Sequence, residues 1–182
     1  MSAVSEQVVW ASGARGTVVR SVDGGRTWTA DTVPGATSLD FRAMHAWNDS
    51  AAVIASAGEA ERGLARIFAT GDAGTNWHLV YSTDLKGVFL DAIAFWDVKN
   101  GIALSDPVDG AFALLTTTDG GGTWTRIPAD RLPRVLPGEA AFAASGSSLV
   151  VRGIGDVWIG TGGGGRGRVL HSPDRGQSWI VC

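Results

Sequence analysis

A chain of 182 residues, 45% of them hydrophobic, has material for one substantial core or several small ones stacked side by side. Its 15 basic residues are outnumbered by 18 acidic ones and scattered singly, which excludes a basic groove for a phosphate backbone and removes nucleic acid from the expected partners. No apolar run approaches the roughly 20 residues that span a bilayer, and the lone cysteine, Cys182, excludes an internal disulfide.

In chain order, "MSAVSEQVVW" lacks the basic n-region and long apolar stretch of a secretory signal. "VVWASG" (8–13) reads as a strand, the second of its unit, because only five residues precede Glu6. "SVDGGRTW" (21–28) then sets an aspartate among glycines beside a hydroxyl and a tryptophan, a pattern open to catalysis, metal binding or a turn. "AAVIASAGEAERGLARIFA" (51–69) has the alanines and the Glu59/Arg62 spacing of a helix, but Gly58 and Gly63 favour strand, loop, strand. After "TGDAGTNW" (70–77), four runs bounded by turn formers read as strands: "LDAIAFWD" (90–97), "NGIALSD" (100–106), "FALLTTTD" (112–119) and "TWTRIP" (123–128). "GTGGGG" (160–165) satisfies G-x-G-x-x-G, yet "RVLHSPD" (168–174) follows as another strand, so no helix N-terminus receives a pyrophosphate and no dinucleotide cofactor is expected.

The aspartate motif recurs. "SVDGGRTW", "TGDAGTNW", "TTDGGGTW" (117–124) and "SPDRGQSW" (172–179) all fit [ST]-x-D-x-G-x-[STN]-W, and Asp23, Asp72, Asp119 and Asp174 lie 49, 47 and 55 residues apart. With Asp23 on Asp72 and Asp72 on Asp119, "FRAMHAWNDSAAVIAS" (41–56) falls over "LDAIAFWDVKNGIALS" (90–105), pairing Trp47 with Trp96. "VVWASG" resembles "DVWIGTG" (156–162), pairing Trp10 with Trp158, so all eight tryptophans hold repeat-equivalent positions and read as core or motif residues. Four-stranded antiparallel units recurring at about 45 to 50 residues are the pattern of propeller blades. The expectation is an all-β, single propeller domain over 1–182, with units near 1–35, 36–85, 86–135 and 136–182.

In such a motif the aspartate can accept backbone N–H groups of a tight turn, and Gly25, Gly74, Gly121 and Gly176 suit positive φ. Trp28, Trp77, Trp124 and Trp179 are expected to enter the next strand and pack inward. Calcium would need a denser set of oxygen ligands than Gly, Ala and Arg supply, and His45, His78 and His171 form no ligand pair, so no metal is expected.

The motif resembles the Asp-box, or bacterial neuraminidase repeat, of sialidases, xyloglucanases, sortilin-type receptors and photosystem II assembly and stability factor-like proteins. "FLDAIAFWDVKNGIALSDPVDG" (89–110) and "GEAAFAASGSSLVV" (138–151) are similar to the bacterial relatives of the stability factor, often called oxidoreductases or glycosyl hydrolases. The resemblance implies six or more blades, hence an incomplete propeller here, and a periplasmic or secreted setting for full-length relatives. It does not extend to sialidase chemistry. "RIP" (126–128) follows the third motif instead of preceding the first, and Tyr81 is the only tyrosine.

If the aspartate motifs join third and fourth strands, the opposite rim carries the other loops. Those loops gather Arg15, Arg42, Glu59, Glu61, Arg62, Asp91, Asp106, Asp109, Glu139, Arg166 and Arg168, with Arg42 and Asp91 at equivalent starts of inner strands. Singly, each suits a solvated rim charge; together, they suit a ligand surface. The expected function is a non-catalytic binding or assembly module for a protein or glycan. The alternative is a sialidase- or xyloglucanase-type hydrolase, in which Asp91, Asp106, Asp109 and Glu139 would share one pocket with a raised-pKa carboxylate. Open blade ends would also favour self-association.

Overall fold

The computed structural model describes residues 1–143 and 146–182. Ala144 and Ser145, inside the 138–151 segment that carried part of the resemblance, lie outside the described residues. Four antiparallel sheets follow one another along the chain, and the helical elements among the described residues are three short 3-10 turns. Sheet 1 holds β1 (Ser2–Ala3), β2 (Val9–Ser12), β3 (Thr17–Ser21) and β4 (Thr29–Thr32), and sheet 2 holds β5 (Phe41–Ala46), β6 (Ala52–Ser56), β7 (Arg66–Thr70) and β8 (His78–Ser82). Sheet 3 holds β9 (Leu90–Phe95), β10 (Gly101–Val108), β11 (Ala111–Thr117) and β12 (Thr125–Arg126). In sheet 4, β13 (Glu139–Ala140) and β14 (Leu149–Arg152) both flank β15 (Asp156–Gly163), followed by β16 (Arg168–Ser172) and β17 (Ile180–Val181). Together they form an open arc of a β-propeller.

One sequence expectation is corrected. The first unit does not begin in its second strand: Ser2 and Ala3 pair with Trp10 and Val9 and supply a short inner strand. Two residues suffice because Val4 N and Ser5 N then bond Val8 O and turn the chain back at once.

The helix-compatible stretch 51–69 is β6, a 3-10 turn at Ala60–Arg62, and β7. All five residues of β6 are buried, because sheet 2 lies between sheets 1 and 3 and both of its faces are covered. A strand buried on both sides shows no apolar alternation, and alanines let the flanking sheets approach. β2, with one covered face, buries only Trp10.

Three apolar clusters fill the spaces between sheets 1 and 2, 2 and 3, and 3 and 4, while the inner strands β5, β9 and β14 lie in series. The aspartate motifs join third to fourth strands in every sheet. By antiparallel alternation, the β2–β3-type loops and the links between sheets occupy the opposite end.

The glycine run 162–165 also has a local cause. A Cβ on Gly163 or Gly164 would lie 2.2 Å from the carbonyl oxygen of Gly138 or Pro137. The glycines admit the backbone of the 137–139 segment, and β13 then pairs Glu139 with Gly163.

Candidate functional site

The four aspartate turns share one hydrogen-bond pattern. Asp23 Oδ1 accepts Thr27 N at 2.9 Å, and Oδ2 accepts the Thr27 hydroxyl at 2.6 Å. Asp72 takes Asn76 N and its side-chain amide, Asp119 takes Thr123 N and hydroxyl, and Asp174 takes Ser178 N and hydroxyl. The Thr27 hydroxyl, then its N–H, holds the Asp23 carboxyl at about 2, and local bonds lower the other three. Both oxygens of each carboxylate are thus engaged inside the turn. The glycines adopt φ of +85°, +84°, +85° and +86°.

A second node was not assigned from the sequence. Ser21, Thr70, Thr117 and Ser172 are buried, donate to the aspartate two residues on, and accept the N–H of the glycine four residues on. The [ST] at the head of the repeated motif was the available signal.

Inward packing of the turn tryptophans holds only in part. Trp124 is 8% exposed and packs against Phe95, and Trp77 meets Trp10 edge-on at 6.5 Å, but Trp28 is 46% exposed. The turn of each sheet rests on the sheet before it, and no sheet of this chain precedes the first.

The rim residues fall into separate groups. Arg42, exposed at a bulge in β5, binds the half-buried Asp40 at 2.8 Å, and the exposed Glu59 and Arg62 bind each other at 3.4 Å. Glu61 accepts Gly87 N at 3.4 Å. Arg15 and Asp109 occupy exposed turns with φ of +58° and +56°, and Arg166 is exposed in the β15–β16 loop.

Two pairs are built more deeply. Glu139, its side chain fully buried, receives Arg168 Nε at 2.9 Å, Arg168 Nη2, the Thr161 hydroxyl and Leu136 N. Burial raises its carboxyl, but the bonds from Arg168, Thr161 and Leu136 outweigh that and hold it at about 2. Arg168 also donates to Arg134 O, so the pair fastens the 134–139 segment onto sheet 4. Asp91, the bulge residue of β9 between Leu90 and Ala92, is 2% exposed, and its Oδ2 has no hydrogen-bond partner. Burial first, then the neighbouring Asp106 charge, pushes Asp91 up to about 8. Burial raises Asp106 as well, against a bond from Ala141 N at 3.0 Å. Of the four carboxylates expected to converge, Asp91 and Asp106 meet, Glu139 is engaged by Arg168, and Asp109 stands at a hairpin tip.

A cleft of about 340 Å³ lies at the other end, between sheets 3 and 4, lined by Trp96, Asn100, Thr116, Thr118, Arg175 and Gln177. Arg175 lies 6.0 Å over the Trp96 ring and binds Asp97 at 3.1 Å. Sequence reasoning did not select this cleft, because its walls come from two different sheets. Among the described residues no group of three or more His, Cys, Asp or Glu is placed to hold a metal ion, and no helix is long and apolar enough to cross a membrane.

No family model matches the chain, and neither does any curated protein. Solved structures do. A YCF48 structure described as bound to D1 peptide matches with TM-score 0.55 at 15% identity, over 100% of this chain and 65% of that one. YCF48 from Cyanidioschyzon merolae matches with TM-score 0.62 at 17% identity, over 100% and 54%. The GH74 xyloglucanase from Xanthomonas campestris matches with TM-score 0.64 at 15% identity, over 96% and 28%. The chain therefore spans between about a quarter and two thirds of these propeller proteins, with which it shares the fold.

Proposed function

We propose that this chain is a non-catalytic binding module of the Asp-box propeller type that presents its loop rim to a segment of another protein. The observation that carries the reading is how the rim carboxylates are used. Glu139 is saturated by Arg168, Thr161 and Leu136, and Asp91 is buried, so these two rim carboxylates do not stand as an exposed acid and base pair over an open cleft. The exposed rim charges, Arg15, Arg62, Asp109 and Arg166, stand on loops of both signs. The loops 12–16, 57–64, 106–111 and 161–168 contain no Trp or Tyr, the usual stacking surfaces for sugars, which favours a polypeptide over a glycan. The peptide-bound YCF48 neighbour is consistent with that choice. In this reading the aspartate turns are structural staples.

A hydrolase is the second reading. It is favoured by Asp91, whose carboxyl at about 8 is protonated at neutral pH as a general acid must be. Peptide and glycan arrays, run beside a glycosidase panel, separate the two. The binding module predicts peptide capture without turnover, weakened by Arg166→Glu and Asp109→Lys and unchanged by Gln177→Ala in the cleft. Turnover of any glycoside that disappears in Asp91→Asn would replace it with the hydrolase.

A further inference from the structure

Sheet 3 carries two bulges close together, each occupied by an aspartate. In the β9–β10 ladder Leu104 faces Ala92 and Ser105 faces Leu90, which leaves Asp91 out of the pairing. In the β10–β11 ladder Ser105 faces Ala113 and Pro107 faces Phe112, which leaves out Asp106. A bulge takes its extra residue out of the strand alternation and re-aims the side chain. The two carboxyls thereby come close enough for the charge of Asp106 to act on Asp91.

This pair lacks a counter-charge. Other rim acids have guanidinium partners: Asp40 has Arg42, Glu59 has Arg62, and the buried Glu139 has Arg168. Asp91 and Asp106 form no ion pair among the described residues. Asp91 is 2% exposed and its Oδ2 meets no donor, whereas Asp106 is half-buried and can be reached from solvent.

Sheet 4 supplies the facing wall. Where sheets 2 and 3 have one inner strand of six residues, the inner edge of β15 is shared by the two short strands β13 and β14. Directly after β13, Ala141 N donates to Asp106 Oδ1 at 3.0 Å. Phe142 follows, 50% exposed, with its ring over Gly162, where a Cβ would lie 3.1 Å from it. An accessible carboxylate, a second one without a partner and an exposed aromatic ring suit a long basic side chain, which needs counter-charge for its head and apolar surface for its stem.

We infer that Asp106 and Asp91 receive a lysine or arginine side chain of the polypeptide segment bound by the rim, with its stem against Phe142. The inference rests on the binding-module reading and adds that the bound segment is basic at this point. The incoming cation is the counter-ion that the pair lacks. Asp91, pushed up to about 8 first by burial and then by the Asp106 charge, carries a proton at neutral pH. A cation beside it favours the ionised form, so binding releases a proton.

The probe is Nα-acetyl-lysine methylamide, titrated at millimolar concentration and neutral pH into the isotope-labelled chain. The Ala141 amide, which bonds Asp106, is expected to shift saturably with it and with the arginine analogue, but not with the uncharged norleucine analogue. Asp106→Asn, which keeps an acceptor for Ala141 N, should weaken lysine binding by about tenfold or more. Calorimetry in two buffers of different ionisation enthalpy should show proton release that Asp91→Asn removes. Equal shifts from the norleucine analogue, or from sodium chloride at the same ionic strength, overturn the inference, as does unchanged lysine binding in Asp106→Asn. Peptide capture on the array that does not depend on lysine or arginine also overturns it, while leaving the binding module standing. Glycoside turnover without peptide capture removes the module and this pocket together.

Discussion

The Ser/Thr hydroxyl at the head of each aspartate turn is a buried node, whereas the aspartates stand at the surface. Thr117→Val keeps the shape but leaves the buried Gly121 N–H without its acceptor, and should cost about 1–3 kcal/mol in a urea titration. Asp91 sets a pH dependence of the opposite sign to the turn aspartates. Its folded value, about 8, lies above the ordinary aspartate value of 3.8, so its contribution is fully present below that lower value and is lost as pH rises through 8. Unfolding free energy should therefore fall between these limits by at most about 1.4 kcal/mol per pH unit. Asp91→Asn, a neutral mimic of the protonated acid, should flatten that slope and be the more stable form at pH 8. Asp23, held at about 2, contributes stability that is lost only as pH falls through its folded value.

Within the sheets, the matched turns provide an internal control. Gly25 and Gly176 share φ of +85° and +86°, so alanine at either site pays the same backbone strain of about 1–2 kcal/mol. A Cβ at 176, however, would come 2.9 Å from Ile127 Cδ1, while one at 25 meets no other sheet. Gly176→Ala should then be the less stable of the two, because the Ile127 methyl has to shift to admit it, and thermal melts of the two variants read that difference. The Glu139–Arg168 pair fastens the 134–139 segment to sheet 4. Arg168→Ala leaves a buried carboxylate unpaired and should destabilise by about 3–5 kcal/mol. Hydrogen exchange should divide each sheet by strand: β6, buried throughout, protects its amides, and β4, exposed throughout, does not.

Across the whole molecule, stability is shared between sheets that touch only their neighbours, as in other repeat architectures.

Strands, turn positions and the all-β class were legible from residues, because a motif repeated four times aligns its own flanks and the turn glycines need a backbone few residues adopt. The two-residue β1 was not, since so short a strand carries no periodicity and exists only through its pairing with β2. The rim was legible as an end of the sheets but not as a set of partners. Antiparallel alternation places Asp91, Asp106, Glu139 and Arg168 together, yet which carboxylate finds a guanidinium and which is buried without one depends on distances of a few ångströms between strands far apart in the chain. The same limit explains Trp28. Four motifs of one pattern make four like turns, but whether each tryptophan is buried is decided by the sheet packed against it.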